Sequence, residues 1–149
     1  MSSDDLEVAL VTPWDTGGGI ANYSKRFRDS LEEASVDVRI VAIQYPRTWK
    51  PWRFNKLLQL IPSSVDVVHV QFEAGVFGKF GISGVCTPTF YFRLASKDCA
   101  VVTTLHEVHR EYPHHSQIIS GAVKLRDRLL ERIILEISDA TVVHTTEAN

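Results

Sequence analysis

Cysteine is scarce in this chain, with only Cys86 and Cys99 among 149 residues. Two cysteines are too few for a four-cysteine zinc site, and they show no CxxC spacing, so we expect reduced core residues. Long apolar runs are also absent, since none approaches the roughly 18 residues of a membrane span. The acidic start at residues 1–7 lacks the positive charge and apolar stretch of a signal peptide. These absences favour a cytoplasmic protein.

The chain has no strong excess of charge, because its formal net charge is only −2 at pH 7. Such a balance gives no global attraction to nucleic acid, so we expect no nucleic-acid partner. The composition is 44% hydrophobic and 23% charged, which is typical of a folded protein with a sizeable core. The length predicts one domain over residues 1–149.

Short apolar runs alternate with helical patterns along the whole sequence. The runs cover residues 8–12, 38–43, 65–70, 100–105 and 140–144, and they are rich in β-branched residues. Nearly continuous apolar runs are typical of strands buried on both faces of a parallel sheet. We therefore predict an α/β, Rossmann-like, doubly wound parallel sheet, with loops at 45–51 and at Thr87–Pro88. In such a sheet, ligands bind outside the carboxyl ends of the strands.

A glycine-rich turn follows the first predicted strand, at Gly17, Gly18 and Gly19. It lacks the frame of a P-loop, and Asn22 replaces the third glycine of a dinucleotide fingerprint. The turn before an amphipathic helix predicts a nest of backbone N–H groups for the phosphate of a ligand. A tight turn that requires glycine for positive φ angles is the alternative, and both interpretations stay open.

Polar residues also follow the third and fourth predicted strands. Glu73 follows the third, while His106 and Glu107 follow the fourth, so we expect all three in a cleft with the glycine turn. The segment from His106 resembles the zinc motif H-E-x-x-H, but Arg110 replaces its second histidine. We therefore predict no metal site. His69 lies inside a strand and is predicted to be a core histidine.

A basic and aromatic stretch separates the second and third predicted strands. It begins with Tyr45, Arg47 and Trp49, continues to Lys56, and contains no acidic residue. Such a surface suits a sugar or anionic acceptor, or a peripheral contact with a membrane. The alternative is an ordinary solvated surface. A second segment, Phe77 to Phe92, is interpreted in the same way.

Three segments together resemble the N-terminal half of the retaining family 4 glycosyltransferases, which have the GT-B fold. They are V-A-L-V-T-P with G-G-G-I-A at residues 8–21, D-V-V-H-V-Q-F-E-A-G-V-F-G at residues 66–78, and V-T-T-L-H-E-V at residues 102–108. The resemblance covers nearly the whole chain, in order and with suitable spacing.

The resemblance implies an enzyme that transfers a sugar from a nucleotide-sugar to an acceptor with retention, without a cofactor or metal. The three glycines would approach the donor diphosphate, and His106 would be catalytic beside the reacting sugar. Glu73, Glu107, Tyr45, Arg47 and Trp49 are the candidate acceptor or cleft residues. The acceptor would be a sugar or a lipid-linked molecule.

The chain departs from the family in one respect. The family's donor-binding half contains paired glutamates in the pattern E-x7-E, and no two glutamates here have that spacing. We expect that half to be supplied in cis or by a partner chain, and the isolated chain to be inactive. A non-catalytic domain that binds a sugar or a partner protein is the alternative, and the reading frame beyond Asn149 distinguishes the two.

Overall fold

The structure is a computed structural model that describes residues 6–44, 52–77, 83–106 and 117–143, with the backbone alone for 83–85 and 117–120. Strands and helices alternate throughout these ranges. The strands are β1 (Glu7–Thr12), β2 (Asp37–Ala42), β3 (Val67–Phe72), β4 (Ala100–Leu105) and β5 (Ala140–Val143). The helices are α1 (Gly19–Glu33), α2 (Trp52–Leu60), α3 (Ser83–Leu94) and α4 (Gln117–Ile137).

The five strands form one sheet in the order β2-β1-β3-β4-β5, and every neighbouring pair is parallel. This confirms the predicted Rossmann-like, doubly wound α/β domain. The chain leaves β1 toward β2 on one side and returns to β3 on the other. Because such crossovers are right-handed, α1 lies on one face of the sheet and α2 to α4 lie on the opposite face.

The main hydrophobic core lies between the sheet and helices α2, α3 and α4. Every second residue of a strand contributes its side chain to this core. Examples are Ala9 and Val11 of β1 and Val68 and Val70 of β3. Phe77 of the loop after β3 adds an aromatic centre to this core. The three helices contact one another in order, α2 with α3 and α3 with α4.

The prediction of a loop at Thr87–Pro88 is wrong, because both residues lie inside α3. Proline inside a helix costs about 3 kcal/mol. Phe90, Tyr91 and Leu94 of the same helix are almost fully buried, and each such side chain contributes about 1.5–3 kcal/mol. Burial of the helix face therefore outweighs the cost of Pro88.

One further expectation needs correction. The third strand is shifted by two residues, to Val67–Phe72, because Gln71 and Phe72 pair with Thr104 and Leu105 of β4. Helix α4 buries Leu130 and Ile134 against the core, whereas Leu129 is 53% exposed. Among the helices that the structure describes, none has the length and apolar character needed to cross a membrane.

Candidate functional site at the switch point of the sheet

The strand order places a switch point between β1 and β3, where the chain leaves the sheet in opposite directions. The crevice outside such a point is where open α/β sheets bind ligands. The glycine turn follows β1 at this edge, and Glu73 and His106 follow β3 and β4. The fold thus brings the predicted turn and both side chains to one edge of the sheet.

Gly18 is the N-cap of α1, and its backbone has φ 150° and ψ 169°. This conformation is essentially restricted to glycine. Within the described ranges, Gly18 is the only glycine with a positive φ. The tight-turn interpretation therefore explains Gly18, but it gives no reason for glycine at positions 17 and 19.

The space in front of the turn is open. A methyl group added to Gly17, Gly18 or Gly19 would meet no described atom within 4 Å. Helix α1 has no side-chain hydrogen bond to its N-cap and no acidic residue in its first turn. The first backbone N–H groups of a helix lack partners inside the helix and carry the positive end of its dipole. The turn can therefore receive an anionic group.

Trp14, in the loop between β1 and the glycine turn, lies against two cations of α1. The Nζ atom of Lys25 lies 5.8 Å from the ring centroid, and the Cζ atom of Arg28 lies 5.1 Å from it. These distances are within the range of cation–π attraction. The contact fixes the loop after β1 to the helix that follows it.

His106 is held by Gln71 of the neighbouring strand. The Nε2 atom of His106 lies 2.6 Å from Oε1 of Gln71, and the backbone N–H of His106 donates to the carbonyl of Phe72. A carboxamide oxygen accepts hydrogen bonds, so this contact favours the tautomer that carries the proton on Nε2. Gln71 thereby orients the ring of the predicted catalytic histidine.

A second hydrogen bond joins side chains that lie two residues earlier along the same two chain segments. His69 Nε2 lies 2.8 Å from Oγ1 of Thr104, and both residues are buried. Each bond joins a residue of β3 to a side chain two positions beyond its register partner on β4. We call these four residues, His69, Gln71, Thr104 and His106, the polar ladder.

Aromatic residues of α1 cover the polar ladder. The Tyr23 ring meets His106 edge to face at a centroid distance of 5.2 Å, and Phe27 meets His69 at 4.8 Å. Tyr23 lies four residues after Gly19, which is about 6 Å along the helix axis. The residue of α1 that contacts His106 therefore lies about one helical turn from the glycine turn.

Burial lowers the pKa of His69 to about 4, with a smaller contribution from the nearby His106. His69 is consequently neutral near pH 7. This confirms the prediction that His69 is a core histidine with a hydrogen-bond partner. The Nε2 group of the fully buried Gln71 finds no hydrogen-bond partner in the part of the chain that the structure describes.

Glu73 lies directly after β3, where its backbone carbonyl accepts a hydrogen bond from the N–H of Val76 at 2.9 Å. It is partly buried, at the same edge as His106. The other candidate cleft residues, Tyr45, Arg47, Trp49 and Glu107, lie outside the described residues. Their roles stay predictions.

The interpretation of the segment Phe77 to Phe92 as an acceptor surface is wrong for its main aromatic residues. Phe77, Phe90 and Tyr91 are at most 1% exposed. The hydroxyl of Tyr91 lies 3.0 Å from Oγ1 of Thr103, deep under the sheet. These rings stabilise the core and cannot meet a ligand.

Sequence reasoning placed Gln71 at the end of the third strand, beside the cleft, but did not predict its bond with His106, and it assigned no site role to Tyr23. The spacing of the residues offers a signal for Gln71. His69 and Gln71 lie two positions apart, as do Thr104 and His106 along the neighbouring strand. Residues two positions apart share one face of a sheet, so these side chains are expected on the same face. Tyr23 offers no such signal, since aromatic residues on an amphipathic helix usually serve the core. Its contact with His106 depends on how α1 crosses the sheet.

No cluster of three potential metal ligands occurs within residues 6–44, 52–77, 83–106 and 117–143. The predicted absence of a metal and a cofactor stays a prediction. Comparison of the chain with protein-family models, curated proteins and solved structures gives no match. A functional assignment therefore depends on the chemistry of the site.

Proposed function

We propose that the chain is the acceptor-side half of a retaining glycosyltransferase that uses a nucleotide-sugar donor. One observation carries this proposal: the open glycine turn and the Gln71-held His106 lie at the same edge of the sheet, and His106 contacts Tyr23, one helical turn after Gly19. An anion site beside an oriented imidazole suits a substrate that joins a diphosphate to a sugar. The sequence resemblance to the family 4 enzymes supports the same assignment.

The donor diphosphate would bind at the glycine turn. Backbone N–H groups at the start of α1 would donate to its oxygens, and the helix dipole would favour its negative charge. The absence of side chains at Gly17 and Gly19 would allow the phosphate to approach the backbone closely. These fixed dipoles would stabilise the charge that develops on the leaving diphosphate.

His106 would act on the sugar. The imidazole would contact a sugar hydroxyl while Gln71 holds its orientation. The contacts with Tyr23 and Gln71 restrict the rotation of the ring. A group fixed in this way loses little entropy when the transition state forms.

The cleft would be completed by a second, donor-binding domain, in cis or from a partner chain. Among the described residues, no atom lies within 4 Å of a methyl group added to the turn, so these residues alone do not enclose a nucleotide or exclude water from a reacting sugar. We therefore expect the 149-residue chain to bind nucleotide-sugars weakly and to show no transfer alone.

Chemical-shift mapping of the chain by NMR tests this proposal with a panel of nucleoside-diphosphate sugars and the matching free sugars. The expected result is a concentration-dependent shift of the Gly18, Gly19 and Ala21 amides that requires the diphosphate. A transfer assay with the donor-binding half restored should then show turnover. Donor-dependent shifts without any transfer would indicate a non-catalytic binding domain, and the absence of shifts at α1 would contradict the proposed donor site.

A further inference from the structure

An apolar groove lies between α3 and α4, and we call it the α4 groove. Its volume is about 370 Å³. Its lining comprises one residue of α3 and six of α4: Pro88, Ala122, Leu125, Arg126, Leu129, Leu130 and Ile133. Leu130 is buried, whereas Leu125 and Leu129 are 61% and 53% exposed. The groove therefore presents leucine side chains to the solvent.

A row of cations runs along α4 beside the exposed leucines. Lys124, Arg128 and Arg132 lie four positions apart, so they share one face of the helix, and all three are exposed. Leu125 and Leu129 directly follow the first two of these cations. The α4 groove thus has a positively charged flank about 12 Å long, which we call the cation row.

The carboxylates of α4 do not balance the cation row. Arg132 bonds Glu136 at 2.9 Å, but no carboxylate within the described ranges pairs with Lys124 or Arg128. The two other carboxylates of the helix are partly buried: Asp127 and Glu131. Like charges four positions apart destabilise a helix. A negatively charged partner along the row would remove this repulsion.

No other helix in the described part of the chain combines these features. Helix α1 exposes no large apolar side chain, and its Arg28 is paired with Asp29. The exposed Trp52 and Leu60 lie at opposite ends of α2, and the described part of α3 exposes Phe92 alone among its large apolar side chains. Neighbouring exposed leucines beside a row of cations therefore distinguish α4.

The shape of the groove favours a helix as its occupant. Packed helices insert the side-chain ridges of one into the grooves of another. Ala122, Leu125 and Leu129 are spaced three and four positions apart, as in the seam between two packed helices. A bilayer surface is flat and would leave the groove itself unfilled. A second copy of the chain is disfavoured, because a two-fold pair places the same surface against itself and the cation rows would meet.

We propose that the α4 groove binds an amphipathic helix of a partner protein. The apolar face of that helix would cover Leu125 and Leu129, and carboxylates along its flank would meet the cation row. Helices recognised in a groove present apolar residues at i, i+3 or i+4, and i+7, which matches the spacing on α4. This interaction does not depend on the proposed glycosyltransferase function.

The test is an NMR titration of the 149-residue chain with a synthetic helical peptide about four turns long. The peptide carries leucines three and four positions apart with glutamates beside them, and a second peptide carries lysines in place of the glutamates. The glutamate peptide should shift the amides of Ala122, Leu125 and Leu129. It should bind about tenfold or more tightly than the lysine peptide, because like charges across an interface are unfavourable.

Two variants separate the charged from the apolar contribution. Arg128→Ala should weaken binding of the glutamate peptide about two- to fivefold, as expected when one exposed ion pair is lost. Its matched control is Arg26→Ala, an exposed cation on α1. Leu125→Ser should weaken binding about tenfold, because the peptide covers this leucine. Its control is Leu60→Ser, since Leu60 is 57% exposed and lies outside the α4 groove.

Both controls should bind the glutamate peptide as the parent does. All four substitutions are at exposed positions, so the melting temperatures should stay close to that of the parent. Equal binding of the two peptides, an equal loss in a variant and its control, or an absence of shifts at the groove amides would overturn the proposal.

Two further results would assign the groove to a different occupant and also overturn the proposal. Binding to vesicles of an anionic phospholipid that Leu125→Ser abolishes, without peptide binding, would indicate a membrane surface. A dimer in sedimentation experiments that Leu125→Ser dissociates would indicate a second copy of the chain. None of these results depends on the donor shifts at Gly18 and Gly19.

Discussion

The two faces of the sheet differ in chemistry. On the face covered by α2, α3 and α4, the core is almost entirely apolar, and aromatic rings such as Phe77 and Phe90 contact one another. On the face covered by α1, the buried side chains of the central strands include the polar ladder and Thr12, which bonds Ser24 of the helix at 2.6 Å. One face supplies stability, while the other positions polar groups beside the glycine turn.

This division follows from the number of helices on each face. Three helices bury the apolar face of the central strands, whereas α1 alone leaves Tyr23 and Phe27 only partly buried. Buried polar groups usually need hydrogen bonds, and the ladder joins His69 to Thr104 and Gln71 to His106, which leaves only Nε2 of Gln71 without a partner among the described ladder residues. The α1 face can therefore carry polar side chains without unfolding the sheet.

The largest loss of stability is expected from a substitution on the apolar face. Phe77 is fully buried, and its ring lies 5.1 Å from those of Phe54 and Phe72. Phe77→Ala should lower the free energy of unfolding by about 3–5 kcal/mol, because it removes apolar contacts and leaves a cavity. Urea denaturation measures this, with Phe92→Ala as the control. Phe92 is 62% exposed, so an equal loss in both variants would contradict the assigned core.

On the α1 face, His69 should make stability depend on pH. Its folded pKa of about 4 lies below the unfolded value of 6.5, so the folded state binds fewer protons between these values. Stability should be full above pH 6.5 and fall toward pH 4, with a contribution of about 3 kcal/mol from this group.

Urea denaturation from pH 4 to pH 7 checks this contribution. The stability of His69→Gln should vary less with pH than that of the parent. Parallel pH profiles for the two proteins would show that His69 is not held neutral in the folded state.

Replacement of His106 should lower activity more than replacement of a residue on the apolar face does. In the enzyme completed with its donor-binding half, His106→Ala should lower kcat by about 10²-fold or more, as expected when a group acting on the transition state is lost. The folded domain should persist with a loss of about 1–3 kcal/mol, because the buried Gln71 loses its partner. Steady-state kinetics and urea denaturation measure the two effects.

His69→Gln is the matched control for this variant, since His69 belongs to the same polar ladder but lies deeper. It should leave kcat near that of the parent at pH 7. A kcat for His106→Ala close to the parental value would remove His106 from the catalytic site.

The smallest expected change in stability distinguishes Gly18 from Gly19, which belong to the same turn. Gly18→Ala should destabilise the fold by about 1–3 kcal/mol, because alanine rarely adopts the backbone conformation at φ 150°. Gly19→Ala should leave the melting temperature nearly unchanged, since the added methyl group meets no described atom within 4 Å. Thermal unfolding of both variants checks this, and an equal loss of stability would show that both glycines serve only the turn.

Much of the fold could be predicted from local patterns. The bounds of β4 match the predicted Ala100–Leu105, and β1, β2 and β5 begin or end within about one residue of their apolar runs. Helix α3 was missed because Pro88 is a local signal against a helix, whereas the burial of Phe90 and Tyr91 depends on tertiary packing. Local signals therefore fail where packing overrides them.

The site was only partly predictable for a similar reason. The glycine turn and His106 follow strands, and the rule for parallel sheets brings strand ends to one edge. Gln71 appeared to lie beyond the third strand, because a polar residue normally ends an apolar run. Its place inside β3 depends on its pairing with Thr104 of β4, which is distant in the sequence.

The most direct test of the account is the affinity of Gly19→Ala for a nucleotide-sugar, measured by calorimetry together with its melting temperature. If the open space before the turn receives a diphosphate, the methyl group should weaken binding by about 10- to 100-fold, the loss expected for one charge-assisted hydrogen bond. The melting temperature without ligand should stay close to that of the parent. Unchanged affinity in a stable Gly19→Ala protein would contradict the claim that the glycine turn is a phosphate site.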